Sequence, residues 1–398
     1  MIRQSLYRYN KTPLKIVYIH PININYIGGG EKFIIEVLTR LQKRGHKVSL
    51  INTGWAPRFI TLSHAKSVNF DIYYCRYVKS YRNSTIIEPS CLLSYARDND
   101  LIYFSAVPPV EILLNIFKRM RVLKLPMIAV FHSSLKPHDY VLDKLYVPIY
   151  VSLYKSFDRL HVLNQYMYDF FVKYYKVNVK KVELIPNGVD TKYFRLIRNF
   201  ENGKEFIVLF VSRLVKEKGV DILAEVIKCV NNKNMYKNIV FRIVGAGPLT
   251  HIIKDLEKRY SNVEYLGYIS KDELVKEFNR AHVFLFPSKI EYLPLVLLEA
   301  SACGLPIVGS AIPGVVDVIK TIGYGILVRL RDIEGYVRGI LYFYSVWSKD
   351  PEKYYEIRLS IRRRTVANYD WDIIIDRIEN MFRQVLAEYA KVYRFHLR

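Results

Sequence analysis

The chain has 398 residues, 51% apolar and 24% charged, a balance that builds a folded core and excludes a disordered or low-complexity protein. At this length a single core usually splits, so two domains are expected. The formal net charge is +23, with 27 Lys and Arg against 13 Asp and Glu in residues 1–190 and 33 against 24 in the rest; the first half therefore suits an anionic surface, lipid headgroups or nucleic acid, or else carries a solvated basic face.

The first fifteen residues hold Arg3, Arg8, Lys11 and Lys15 but no continuous apolar segment, unlike a secretory leader. Residues 16–19 form a short apolar run ending at His20-Pro21, and Ile34, Val37, Leu38 and Leu41 then recur at helical spacing up to Gly45. Strand character resumes at residues 48–51, which makes a βαβ unit with Gly28, Gly29 and Gly30 at the entry to its helix. Three glycines there leave bare backbone N–H groups that can face an anion across an interdomain cleft, and they also permit domain closure. Cations at Lys118, Arg119, Arg121 and Lys124 alternate with apolar residues, the pattern of a helix resting on an anionic membrane or of a solvated basic face. His132 follows a strand at residues 127–131, at the carboxyl end where open α/β sheets place ligands; that position alone favours it over His20, His138 and His161.

Near residues 185–190 Pro186 and Asn187-Gly188 interrupt the periodicity, which divides the chain into residues 1–186, 187–368 and a terminal helix, 369–398, returning to the first domain. The second half repeats the strand-helix grammar, predicting two Rossmann-like parallel-sheet domains. Arg213 and Lys218 lie between its first strand and first helix, where two cations beside a helix N-terminus would hold a diphosphate; a pair of exposed cations is the alternative. Gly245 and Gly247 follow a strand and would let the backbone approach a donor ligand closely, though a lone GxG is weak evidence and a plain tight turn is the commoner explanation. Pro294 suits the start of a helix, leaving the N–H groups of Leu295 and Val296 to face an anion. Glu291 in the preceding loop and Glu299 on that helix bracket an apolar run, and a row of sugar hydroxyls is a suitable partner for two such carboxylates.

Cys75, Cys91, Cys229 and Cys303 are scattered, predicting neither metal site nor disulfide and therefore reduced thiols in a cytoplasmic compartment. The longest apolar stretch, residues 292–316, is broken by Pro294, Glu299, Pro306 and Pro313 and reads as helix, turn and strand. Thirty-three Tyr and only four Gln hint at a thermophilic source.

Taken in order, Gly28 to Glu31, residues 41–48, residues 187–190, Ser212-Arg213 through Lys218-Gly219, residues 245–249, and the Glu291 to Glu299 block with residues 302–308 resemble the retaining, nucleotide-sugar-dependent glycosyltransferases of family four. The resemblance covers nearly the whole chain and implies the GT-B fold, two domains facing each other across a cleft. It implies that Arg213 and Lys218 neutralise the donor diphosphate, that Glu299 binds the ribose and that Glu291 binds the donor sugar. It also implies that His132 lies beside the anomeric centre or the primary hydroxyl, and that the glycine loop closes over the phosphates. No cofactor or metal is implied, because the cations and helix amides already stabilise the leaving diphosphate. The first half would hold the acceptor, a glycan, lipid or protein, in glycan biosynthesis by a cytoplasmic enzyme, peripheral at the membrane if that acceptor is a lipid. Two positions depart from the pattern: Leu293-Pro294 where the family has Phe-Gly, and Gly314 where it often has Glu. The reading from another class is a catalytically silent module that binds an anionic partner through its basic surface; nucleic acid is not expected, since no interleaved aromatic and basic motif is present.

Overall fold

The structure, a computed structural model, describes residues 12–25, 28–54, 68–79, 85–132, 148–149, 151–197, 204–232 and 238–395. It divides into two compact units, residues 1–186 with 375–398, and residues 187–374.

The first unit is built on β1 (Lys15–His20), β2 (Lys47–Thr53), β3 (Asp71–Cys75), β6 (Leu101–Ser105), β7 (Met127–Phe131), β8 (Arg159–Val162) and β9 (Val182–Leu184), with a small hairpin of β4 (Tyr77–Lys79) and β5 (Thr85–Ile87). The seven strands form a parallel sheet in the order β3-β2-β1-β6-β7-β8-β9. Parallel strands need crossovers, and helices on both faces bury them, so β1, β6 and β7 read as near-continuous apolar runs and are almost wholly buried. The chain winds outward from β1 to β3 and then returns to place β6 on the other side of β1. That reversal opens a crevice at the carboxyl ends of β1 and β6, the place where such sheets bind ligands.

The second unit repeats the plan with β10 (Phe206–Val211), β11 (Ile239–Val244), β12 (Val263–Gly267), β13 (Val283–Phe286), β14 (Ile307–Ser310) and β15 (Gly325–Val328) in the parallel order β12-β11-β10-β13-β14-β15. Its winding reverses between β10 and β13. The arginines of the Pro351–Tyr369 helix brace this unit: Arg358 donates to the carbonyls of Phe278, Asn279 and Cys303, and Arg362 to those of Thr191, Phe194 and Ala302. The final helix, Trp371–Phe395, begins in the second unit, where Trp371 packs on Gly188, and continues into the first. There its buried stripe of Ile375, Ile378, Phe382 and Leu386 is framed by Arg44 with Asp376 and Glu379 and by Arg159 with Glu388.

Two expectations are corrected. Cys75 and Cys91 form a disulfide, with Cα atoms 5.8 Å apart. The end of β3 and the helix Pro89–Ala96 meet in space, which sixteen residues of intervening sequence do not reveal. The inference of a reducing compartment from scattered thiols therefore loses its basis. The basic stretch at residues 118–124 is not a helix of its own: the helix Val110–Arg119 ends within it, and Lys118 is paired with Asp158. No described helix is long and apolar enough to cross a membrane.

Candidate functional site

In the second unit the candidate residues gather at the reversal between β10 and β13. Arg213 is exposed on the loop after β10, and Lys218 ends a short 3-10 turn on the same loop. The loop after β13 runs beside it: Lys289 N–H donates to the Glu217 carbonyl at 2.8 Å, and the buried Ser288 hydroxyl donates to the same carbonyl at 3.1 Å. Glu291 Oε1, 3.2 Å from the Ser288 hydroxyl, is the alternative acceptor for that single hydrogen, and Lys218 Nζ forms an ion pair with the same carboxylate oxygen. The cation assigned to the diphosphate and the carboxylate assigned to the sugar are thus neighbours. Asn187 donates to the Leu293 carbonyl at 2.9 Å and pins the far end of the loop.

Pro294 is the N-cap of the helix Leu295–Ala302 rather than its first residue. Leu295 and Val296 fill the first turn, where backbone N–H groups have no carbonyl within the helix to bond; Leu297 N–H is the first to turn back, to Pro294. Glu299 stands one turn further along, half-buried.

Gly245 and Gly247 follow β11 and clamp the Arg213 loop. Leu214 N–H donates to the Ala246 carbonyl at 2.9 Å, and Leu249 N–H to the Leu214 carbonyl at 3.0 Å. A Cβ on Gly245 would stand 1.8 Å from the Ser212 carbonyl oxygen, and its φ of +134° suits glycine alone. The observed task of these glycines is therefore close approach between two loops of the protein.

In the first unit, Gly28 is the N-cap of the helix Gly29–Lys43, with Gly29 and Gly30 in its first turn. The glycines begin the helix instead of preceding it, and the first-turn amides still lack helical partners. His132, at the end of β7, lies over Gly30, where a Cβ would meet the imidazole Cγ at 3.6 Å. Its Nε2 is 3.3 Å from the Tyr18 hydroxyl, which is 2.9 Å from Ser105 Oγ. Ser105 Oγ is 2.9 Å from His20 Nδ1, and His20 Nε2 is 3.3 Å from Glu31 Oε1, a pair buried on both sides. Burial, then the nearby His20 and His161, lowers the basicity of His132 to about 3, so it is neutral in ordinary buffers.

Of the competing histidines, His161 is enclosed between the Tyr103 hydroxyl and the Ile185 carbonyl, a structural role, and His138 lies outside the described residues. Tyr18, Ser105 and Ser288 were missed by sequence reasoning, and Glu31, quoted with the glycine motif, was given no role of its own. Position at a strand's carboxyl end, the signal that picked out His132, would have found Ser105 as well. Among the described residues no cluster of three or more His, Cys, Asp or Glu could hold a metal ion.

Two parallel α/β sheets, each reversing its winding once, make up a GT-B fold, with cations, carboxylates and helix amides gathered at the reversal of the second. Residues 27–193 match the model described as Glycosyltransferase Family 4, and residues 196–357 match the one described as Glycosyl transferases group 1. The chain belongs to glycosyltransferase family 4. It is 30% identical over 203 residues to the UDP-Gal:alpha-D-GlcNAc-diphosphoundecaprenol alpha-1,3-galactosyltransferase of Escherichia coli, covering 47% of this chain and 51% of that protein. It is 24% identical to the sulfoquinovosyl transferase of Arabidopsis thaliana over 92% of this chain and 72% of that one. The chain spans about half the length of the first of these relatives. Among solved structures, Anabaena HepE in complex with UDP and glucose superposes with a TM-score of 0.68 at 16% identity, covering 92% of this chain and 99% of the other.

Proposed function

We propose that this enzyme transfers a hexose from a nucleoside-diphosphate sugar to an acceptor hydroxyl with retention at the anomeric carbon. The observation that carries the reading is the grouping of Lys218 and Glu291 with Arg213 and the open amides of Leu295 and Val296 at one sheet reversal. Negative charge develops on the departing diphosphate as the glycosidic bond breaks. Arg213, Lys218 and the helix N-terminus stabilise that charge without a metal. Glu291, freed from Lys218 as the cation turns to phosphate, orients the sugar hydroxyls; Glu299 holds the ribose, and His132 contacts the sugar near the reacting carbon.

The E. coli relative's name specifies UDP-Gal and a diphosphoundecaprenol acceptor, and the Anabaena structure holds UDP and glucose, so UDP-hexoses are the first donors to test. A lipid-linked acceptor fits the exposed row Ile112 and Ile116 on the helix Val110–Arg119 and Met120 at its C-cap, with Arg119, Arg121 and Lys124 exposed beside it. The enzyme works on the cytoplasmic side as a peripheral membrane protein. Its disulfide is compatible with that compartment if the source is thermophilic, as the Tyr-rich, Gln-poor composition suggests, because intracellular disulfides are common in hyperthermophiles.

The test is a panel of nucleotide sugars with the purified chain, with and without chelator, reading donor hydrolysis, thermal stabilisation and product anomericity by NMR. Retained configuration and a chelator-insensitive rate are expected. No turnover and no stabilisation with any donor would overturn the enzyme reading in favour of a silent anion-binding module.

A further inference from the structure

The buried chain from Glu31 through His20, Ser105 and Tyr18 to His132 has a property that follows from counting hydrogens. Serine and tyrosine hydroxyls each carry one proton and donate once, and an ionised carboxylate only accepts. Glu31 therefore takes a hydrogen from His20 Nε2. When His20 is neutral its Nδ1 is an acceptor, so Ser105 donates to it and Tyr18 donates to Ser105. The Tyr18 oxygen is then satisfied only by a hydrogen on His132 Nε2, which leaves His132 Nδ1 an acceptor.

With His20 Nδ1 an acceptor, a hydrogen on the other nitrogen of His132 would leave two lone pairs face to face at one link of the chain. His20, Glu31, Tyr18 and Ser105 are all buried, so the bond lost in such a break is not replaced by one to water. Burial also lifts the Tyr18 phenol well above its ordinary value, keeping it a hydroxyl and a reliable link. The titratable groups facing His20 among the described residues are Glu31 from the glycine-loop helix and, through Ser105, Tyr18 and His132.

We propose that Glu31 and His20 are positioning residues that fix which nitrogen of His132 carries its hydrogen, with Ser105 and Tyr18 as the links. The catalytic consequence rests on the reading that His132 meets the donor sugar: a fixed tautomer decides whether its ring donates to a sugar hydroxyl or accepts from it.

The experiment is nitrogen-15 NMR of the histidine-labelled full chain, in which one- and two-bond ring correlations distinguish the two tautomers, with His132 assigned from His132→Gln. One tautomer is expected in the wild type. Ser105→Ala and Glu31→Gln, neither of which touches His132, should give a mixture, and Ser105→Thr should restore the single form. Signals of His161 and His282, outside the chain of bonds, report an intact fold in each variant. A His132 that keeps its wild-type tautomer in folded Ser105→Ala or Glu31→Gln overturns the proposal. In the donor assay Ser105→Ala should lower turnover about tenfold, the equivalent of one lost hydrogen-bond bias, with donor KM within about twofold. Loss of the tautomer without that kinetic effect would leave the chain of bonds standing and overturn only the role given to His132.

Discussion

The carbonyl of Tyr292 lies so close to Gly314 that a Cβ at Gly314 would stand 2.1 Å from its oxygen and 2.9 Å from the Leu293 nitrogen. The two places where the resemblance implies a departure, Leu293-Pro294 and Gly314, therefore touch in space. The loop has settled into space that a side chain at 314 would otherwise fill. Gly314→Ala is expected to destabilise by about 1–3 kcal/mol through overpacking, and Gly314→Glu by more. Adding Leu293→Phe and Pro294→Gly to Gly314→Glu should recover part of that loss. Denaturant unfolding in a mutant cycle measures the coupling. Strict additivity would show that the departures are independent.

Lys218 and Glu291 are partners before any ligand arrives, and their roles separate by kinetics. Lys218→Ala should weaken nucleoside-diphosphate binding about tenfold or more, since a charge-assisted contact to phosphate is lost. Glu299→Ala should also weaken binding. Glu291→Ala should lower turnover more than nucleotide affinity, because the sugar and not the phosphate loses its partner. Calorimetry with the diphosphate and initial rates with the sugar donor make the comparison; wild-type behaviour in Glu291→Ala and Glu299→Ala would refute both assignments.

Much of this was legible in the sequence, for reasons that differ by residue. Parallel strands bury both faces, so β1, β10 and β13 announce themselves as short apolar runs, and the ligand end of each follows from its direction. That logic picked out His132, whereas Arg213 was read from its loop between a strand and a helix and Glu291 from the two acids that bracket an apolar run. None of these signals could show that Lys218 and Glu291 pair, nor that Cys75 reaches Cys91, since both depend on how loops far apart in sequence are laid side by side. Gly245 and Gly247 were read by local spacing as a ligand turn, whereas their need for glycine comes from the Ser212 and Leu214 carbonyls against them.

Glu111 is fully buried; one of its oxygens has no partner among the described residues, and the other accepts from Tyr154 at 3.1 Å. Burial raises its carboxyl to about 7. Between the unfolded carboxylate value and about 7 the folded state alone holds this proton, so Glu111's contribution to stability falls as pH rises through that window. Glu111→Gln should therefore stabilise the protein at pH about 8 by roughly 3 kcal/mol and change little near pH about 4. The buried histidines act with the opposite sign. His132 and His282 are held to about 3 and His161 to about 4, chiefly by desolvation, so the unfolded chain binds their protons first. Each removes about 1.4 kcal/mol of stability per pH unit as pH falls below about 6.5. Urea unfolding across pH checks both; a Glu111→Gln gain independent of pH would refute the raised carboxyl.

The Cys75–Cys91 disulfide closes a short loop between β3 and the helix Pro89–Ala96, and its reduction should cost on the order of 3 kcal/mol. Cys303 is buried and its thiol is pushed up to about 12, chiefly by desolvation, so it should resist alkylation. Mass spectrometry after iodoacetamide should then find one modified cysteine, Cys229, before reduction and three after it. Labelling of Cys75 in the untreated protein would overturn the pairing.

Ile112, Ile116 and Met120 are 36, 44 and 67% exposed and recur every fourth residue, so they form one stripe along the outer face of their helix. Between Val110 and Leu125 the one carboxylate is Glu111, which is buried, while Arg119, Arg121 and Lys124 are exposed. Apolar side chains would enter the acyl boundary and the cations would meet anionic headgroups, each cation contributing about 1 kcal/mol at low salt. Vesicles of phosphatidylglycerol should therefore bind the chain more tightly than vesicles of phosphatidylcholine, and added salt should weaken the preference. Ile116→Glu should reduce binding at least about tenfold, since it removes an apolar side chain worth roughly 1.5–3 kcal/mol when buried and adds a repelled charge. Hydrolysis of a soluble donor should be unchanged in that variant, because the stripe lies on a helix that carries none of the donor-site residues. Equal flotation of wild type and Ile116→Glu on anionic vesicles would remove this face from the acceptor argument and leave the donor site as it stands.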